Sequence, residues 1–219
     1  LQSLISYLKQ HPNVEFFEHS AVKKLIQHGD VIQALQTEDG RKHTADHFVI
    51  TSGAWSHYWN SQLQLEIPVE PVQGQMLLFK TPAHWLPTMC MNRVMYLIPR
   101  MDGHIVCGSS MAHRGFDTST DETTQHNILE ACLEMVPELA NFPIVHRWAG
   151  LRPSSPNGVP YIGKMPEMDN LWANFGHFRN GLCMGVGSAQ LLRQLMLGQP
   201  TLVDAKAYSP ERLQNKILA

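Results

Sequence analysis

Three segments of this 219-residue chain set chemically capable side chains beside backbone that can hold them. In Trp148-Ala149-Gly150-Leu151-Arg152-Pro153, an arginine ends an apolar run and a proline fixes the backbone after it. A guanidinium held there offers a planar fork of donors that matches a carboxylate in a bidentate pair. The same pattern fits an arginine that lays its stem on the core and leaves its head in water, and the residues alone do not choose. In Gly176-His177-Phe178-Arg179-Asn180-Gly181, glycines flank a strand-to-helix turn. Such a turn lets backbone N–H groups approach a ligand, with the positive end of the next helix behind them. A plain connecting loop would read the same way. The third segment pairs Met95-Tyr96-Leu97-Ile98-Pro99 with Val106-Cys107-Gly108-Ser109-Ser110-Met111. A tyrosine on a sheet facing a pocket walls it with the ring and donates from the phenol; standing alone, Tyr96 reads as an ordinary strand tyrosine.

The elements that must position these groups follow from apolar periodicity and turn residues. Leu1, Leu4, Ile5 and Leu8 recur at helical spacing up to Pro12, so the chain opens inside an amphipathic helix and looks cut rather than begun. Residues 14–18, 21–28 and 31–37 read as strands, with turns at Gly29-Asp30 and Asp39-Gly40. Residues 48–51 read as a buried strand and 54–62 as a helix. Strands broken by Pro and Gly follow over 69–80, 94–99 and 104–108, the pattern of an antiparallel sheet. A helix over 121–136 is introduced by Ser119-Thr120-Asp121-Glu122, which has capping-box spacing. Strands through Arg152, at Tyr161-Ile162 and over 171–175 then lead to a helix over 182–197 that buries Leu191, Leu192, Leu195 and Met196. Gly185-Val186-Gly187 lacks the rest of a dinucleotide fingerprint and reads as an aid to tight helix packing.

Composition removes other classes. Hydrophobic residues make up 43% of the chain, enough for a real core. The net charge of −2, from 17 basic and 19 acidic residues without a basic cluster, argues against nucleic acid as a partner. No apolar run approaches the roughly 18 residues of a membrane span, and no signal peptide is visible at the N-terminus; a cytoplasmic location is expected. Cys90, Cys107, Cys132 and Cys183 are far apart among apolar neighbours and read as reduced core thiols. The twelve histidines show no zinc spacing, so no metal is expected.

Taken in order, these segments resemble the D-amino-acid-oxidase-like family of flavoproteins, and within it the glycine oxidases of thiamine biosynthesis. The resemblance rests on the Trp148-to-Pro153 run, Gly158-Val159-Pro160-Tyr161-Ile162-Gly163 and the Gly176-to-Gly181 run. Ile50-Thr51-Ser52-Gly53-Ala54-Trp55-Ser56 and Pro71-Val72-Gln73-Gly74 precede them in the expected places. It implies an α+β fold, with an antiparallel substrate-binding sheet at 67–147 interleaved with the incomplete remainder of an FAD-binding domain at 1–66 and 148–219. It further implies that Arg152 holds a substrate carboxylate, that Tyr96 hydrogen-bonds to it, and that Arg179 and Met111 border the substrate. For FAD it implies Val22 at the adenine, Gly53, and the run His177, Phe178, Arg179, Asn180, Gly181, Leu182 and Cys183 along the isoalloxazine ring. The family's opening strand, G-x-G-x-x-G and ribose-binding acid are not among these 219 residues. The chain by itself is therefore expected to hold FAD poorly and to be inactive.

The reaction implied is hydride transfer from Cα–H of a small amino acid, such as glycine, sarcosine or a small D-amino acid, to the flavin. The imino acid would hydrolyse to a 2-oxo acid and ammonia, with oxygen giving hydrogen peroxide. No catalytic acid or base is required, because the flavin supplies the chemistry and the protein supplies orientation. A homo-oligomer is expected. Two other readings stay open: a D-amino-acid dehydrogenase that passes electrons to a quinone, and a catalytically silent binding domain. Peroxide formation against quinone reduction separates the first from the oxidase, and the sequence upstream of Leu1 bears on the second.

Overall fold

The computed structural model describes residues 1–216. The N-terminal apolar stripe forms α1 (Gln2–Lys9), but none of its residues is buried. Residues 14–18 are turn and irregular backbone rather than a strand. All five are exposed, and without a packed surface a valine and two phenylalanines do not favour a strand. β1 (Val22–His28) and β2 (Val31–Thr37) pair around Gly29-Asp30, where Gly29 takes the positive φ of 57° that a tight hairpin needs. β3 (Lys42–His43) completes this three-stranded sheet. β4 (Phe48–Ile50) buries Phe48 and Ile50 but exposes Val49, so it is one-sided rather than wholly buried.

A 3-10 helix over Gly53–Trp59 and then α2 (Asn60–Leu63) replace the single helix expected over 54–62. Ser56 donates its hydroxyl to Gly53 O at 2.8 Å, a local bond that competes with regular helix. The central sheet is built on β5 (Glu70–Lys80), flanked by β6 (Cys90–Met91), β7 (Tyr96–Pro99), β8 (His104–Gly108) and the long β9 (Ile144–Ser154). Its order is β6-β7-β8-β5-β9, antiparallel throughout. Alternation along β5 sends Gln73, Gln75, Leu77 and Phe79 to one buried face. Leu77 and Phe79 pack there with Leu97, Ile105 and Cys107, and with Ile128 and Cys132 of α3 (Glu122–Met135). The opposite face carries Gly74, Met76 and Leu78, and it holds the candidate site.

Helix α3 starts one residue later than the 121–136 span expected, with Asp121 and not Ser119 as its N-cap. Asp121 accepts from Thr124 N at 2.9 Å, from Gln75 Nε2 at 2.7 Å and from Arg114 Nη1 at 2.8 Å. The backbone N–H of Thr124 first, and then the Gln75 amide, hold its carboxyl well below the usual carboxylate range. A depressed folded-state pKa contributes stability that is present above the unfolded value, about 3.9, and is lost as pH falls through the folded one. Asp121→Ala should therefore lower the thermal midpoint at pH 7, and the gap from the parent should close as pH is taken from about 4 downward. Thermal melts of both proteins across that window check this; a gap that stays constant would mean the carboxylate charge is not what caps the helix.

β10 (Tyr161–Lys164) and β11 (Leu171–Phe175) form the last sheet with β4, in the order β10-β11-β4, and β11 runs parallel to β4. α4 (Gly181–Met196) buries Leu191 and Leu192 against Ile162 and Trp172, with Leu195 and Met196 packed on the same cluster. Gly185 and Gly187 do not serve tight helix packing among the described residues: a side chain at either would meet nothing within 4 Å. Only Cys107 and Cys132 are fully buried thiols, and the neighbouring Cys132 sulfur, with which Cys107 shares its proton, together with burial pushes Cys107 far up. Cys90 is half-buried and Cys183 exposed, the latter because the outer face of the first turns of α4 has no neighbour over it among the described residues. Among the described residues no helix is long and apolar enough to cross a membrane.

Candidate functional site

Arg152 stands near the end of β9, opposite Val72 of β5. Its side chain runs across β5 at Gly74, where a Cβ would fall on the guanidinium itself. Glycine at that strand position is what lets the fork lie flat on the sheet. On the far side of β5, Nη2 donates to Ser109 Oγ at 2.6 Å and Nη1 to Ser110 O at 3.3 Å. Tyr96 arrives at the same hydroxyl from β7, donating to Ser109 Oγ at 3.2 Å, with Met76 Sδ at 3.7 Å as a second contact. Register explains the meeting: Tyr96 and Met76 both lie opposite Gly108, one residue before Ser109. Among the described residues no carboxylate pairs with Arg152. A half-buried guanidinium without a counter-charge favours an incoming anion, since desolvation has already been incurred.

The glycine-flanked turn is tied to the same place. Phe178 N donates to Pro153 O at 2.8 Å, and His177 bridges Ser154, so the turn starts directly beyond Arg152. Ser155 Oγ donates to Gly176 O at 2.7 Å. Gly176 has φ of 80°, and a side chain there would press on Ser155 at 3.2 Å. At the start of α4 the N-cap Asn180 makes no side-chain cap bond, leaving the first helical N–H groups available. His177 Nε2 is buried without a hydrogen-bond partner among the described residues, and burial lowers its pKa, which keeps the ring neutral near pH 7. Arg179, Asn180, Leu182 and Cys183 are exposed on this turn, as is Met111, at 62%, beside Ser110.

The remaining candidates lie elsewhere on the sheet ends. β4 and β11 are parallel, with Phe48 opposite Leu171 and Ile50 opposite Ala173, so Gly53 and the Gly176 turn follow strands that leave the sheet at the same end. Ligands of open α/β sheets bind at the carboxyl ends of parallel strands. A groove of about 580 Å³ opens between β1, β2 and β4, lined by Val22, Val49, Ser52, Trp55 and Tyr58 among others; its size is that of a small-molecule site. It contains neither Arg152 nor Tyr96. The chain thus offers an apolar, aromatic-walled groove and, apart from it, a turn with open N–H groups and an orphaned imidazole nitrogen.

Sequence reasoning singled out Arg152 and Tyr96 but not Ser109, the hydroxyl that joins them, nor the role of Gly74. Gly74 was visible as the glycine of Pro71-Val72-Gln73-Gly74 inside an otherwise regular strand, a position that marks close approach by another group. Gln73 and Gln75 were also missed. They are fully buried, bond to Asp117 O, Ser119 O and Asp121, and fix the segment that follows Ser109 and Ser110.

The family described as FAD dependent oxidoreductase (DAO) matches residues 1–195. The glycine oxidase of Pseudomonas aeruginosa is 42% identical over 209 residues, covering 95% of this chain and 57% of that protein. The bifunctional protein ThiO/ThiG of Synechocystis is 29% identical, covering 96% of this chain and 32% of that one. Among solved structures, glycine oxidase from Geobacillus kaustophilus superposes with a TM-score of 0.76 at 28% identity, over 80% of this chain and 48% of that one. The chain spans little more than half the length of the glycine oxidases it matches. On the family match over nearly its whole length, with an α+β fold to suit, this chain belongs to the DAO family of FAD-dependent oxidoreductases.

Proposed function

We propose that the protein containing this chain oxidises a small amino acid, glycine, sarcosine or a small D-amino acid, with FAD and oxygen, giving a 2-oxo acid, ammonia and hydrogen peroxide. The observation that carries this reading is the Arg152 fork lying over Gly74, joined to Tyr96 at Ser109 and lacking a carboxylate partner among the described residues. Similarity to glycine oxidases and to ThiO/ThiG supports glycine as substrate and thiamine biosynthesis as the setting.

In this reading Arg152 and Tyr96 bind the substrate carboxylate, and Arg179 and Met111 border it. Val22, Gly53 and residues 177–183 hold FAD, with residues 1–66 and 148–219 as its domain and 67–147 as the substrate sheet. β9 crosses the second border unbroken, so Arg152 reaches the site from the substrate sheet. Bound FAD would supply the acceptor for the two electrons of the Cα–H bond. The chain's own residues supply orientation. A carboxylate gripped by a planar fork and a phenol has few ways to turn, which fixes where Cα points. Neither group needs to exchange a proton, because both hold the carboxylate by donating hydrogen bonds.

The test uses the full-length protein. Anaerobic mixing with glycine should bleach its flavin absorbance, and readmitted oxygen should restore it with peroxide release. No bleaching by glycine, sarcosine or D-alanine would sink the proposal, and turnover that needs a quinone would replace the oxidase by a dehydrogenase. Tyr96→Phe keeps the ring wall and removes one neutral hydrogen bond, so kcat/KM should fall only about three- to tenfold. Steady-state kinetics decide this, and a larger loss would show that the phenol does more than bind.

A further inference from the structure

We infer that Ser109 is a positioning residue that makes Arg152 and Tyr96 a single carboxylate-recognition unit; the inference rests on the proposed carboxylate clamp. Three observations support it. Ser109 Oγ accepts from both groups, at 2.6 Å from Arg152 Nη2 and 3.2 Å from Tyr96 OH. A serine oxygen has two lone pairs and one hydrogen, so accepting both donors leaves its own O–H free; when the single phenol hydrogen turns to a carboxylate, the Ser109 O–H can donate to the phenol oxygen and keep the two groups joined. The only other hydrogen bond from the guanidinium among the described residues is the longer one to Ser110 O, 3.3 Å.

An arginine head held by so few contacts is costly to order. Its free rotamers represent a large entropy that the ligand would otherwise have to remove. The 2.6 Å bond to Ser109 removes much of it before a ligand arrives. The segment that carries Ser109 is itself fixed: Gln75 N donates to Ser110 Oγ at 2.8 Å, and Gln73 and Ala112 exchange backbone bonds at 2.9 and 3.0 Å. Ser109 thus transmits the rigidity of β5 and β8 to two side chains that come from β9 and β7. Its hydroxyl bonds to neither Gln73 nor Gln75, so changing it leaves that buried network intact.

The test measures binding of glycolate, a small carboxylate with no amine to oxidise, to the FAD-containing full-length protein by calorimetry, together with glycine kinetics. Ser109→Ala should raise the glycolate Kd about five- to tenfold and the glycine KM similarly, with kcat changed less than about twofold. Ser109→Thr, which keeps the hydroxyl, should stay within about twofold of the parent. Ser109→Cys keeps the volume and offers only a weak acceptor, so it should follow the alanine variant and provides the reading if alanine folds poorly. Adding Tyr96→Phe to Ser109→Ala should cost less than it does in the parent, as expected of groups that act together. If Arg152→Ala weakens glycolate binding while Ser109→Ala leaves it unchanged or tightens it, the positioning role is wrong and the clamp stands. If Arg152→Ala leaves glycolate binding unchanged, the clamp itself is wrong and the inference falls with it.

Discussion

Arg152→Ala in the full-length, FAD-containing protein is expected to lower kcat/KM for glycine about ten- to a hundred-fold while leaving the unfolding midpoint nearly where it was. A charge-assisted pair between guanidinium and carboxylate contributes roughly 1.5–3 kcal/mol, which sets that range. Folding is spared for a structural reason. Arg152 is half-buried and, among the described residues, has no carboxylate partner to strand. Its two acceptors, Ser109 Oγ and Ser110 O, are on half-buried residues that water can reach. Removing the group therefore leaves no buried charge uncompensated, unlike the loss of one half of an internal ion pair. Arg152→Lys should recover only part of the activity, because an ammonium keeps the charge but not the two-pronged geometry. Kinetics and thermal melts on the same preparations check both halves. A variant that matches the parent on glycine would show that Arg152 does not touch substrate.

What could be read in the sequence follows the range of the forces involved. β5, β8, β11 and α4 were legible because alternation, turn glycines and apolar helical spacing are local signals. Residues 14–18 were not, since Val14, Phe16 and Phe17 have strand propensity but, among the described residues, no strand pairs with them. Cys183 was misplaced for a related reason: apolar neighbours along the chain do not imply burial when nothing among the described residues covers that face of α4, where Leu182 and Val186 are each 84% exposed. The site shows the same division. Arg152 and Tyr96 stood out by residue type and setting, but their meeting at Ser109 depends on β5 lying between β8 and β9, a pairing across 43 residues that no local pattern reveals. Asp121 was likewise inside the stretch recognised as a helix start, and the choice between it and Ser119 was made by Gln75, 46 residues away.

Gly74→Ala should reproduce most of the activity loss of Arg152→Ala without any cost in stability. The three atoms nearest to a Cβ at Gly74 are all guanidinium atoms of Arg152, so the added methyl displaces the far end of a long side chain and not backbone. Gly74 lies within β5 and does not need a positive φ, so alanine fits its backbone without strain. Replacing glycine at such a position is worth about 0.4–1 kcal/mol through the unfolded chain, enough to offset what small readjustment the strand requires. The fork, however, can no longer cross β5 at this level, and its bonds to Ser109 and Ser110 must lengthen or break. A shift of about 1 Å in a positioning group is sufficient to cost on the order of a hundredfold in rate. At least a tenfold fall in kcat/KM for glycine is therefore expected, with a thermal midpoint equal to or above that of the parent. The double variant Gly74→Ala/Arg152→Ala should be no worse than Arg152→Ala alone, because once the guanidinium is gone the methyl has nothing to displace. Full activity in Gly74→Ala would mean that Arg152 reaches its ligand by a path that does not cross β5. Additive losses in the double variant would mean that Gly74 acts on the site through something other than Arg152.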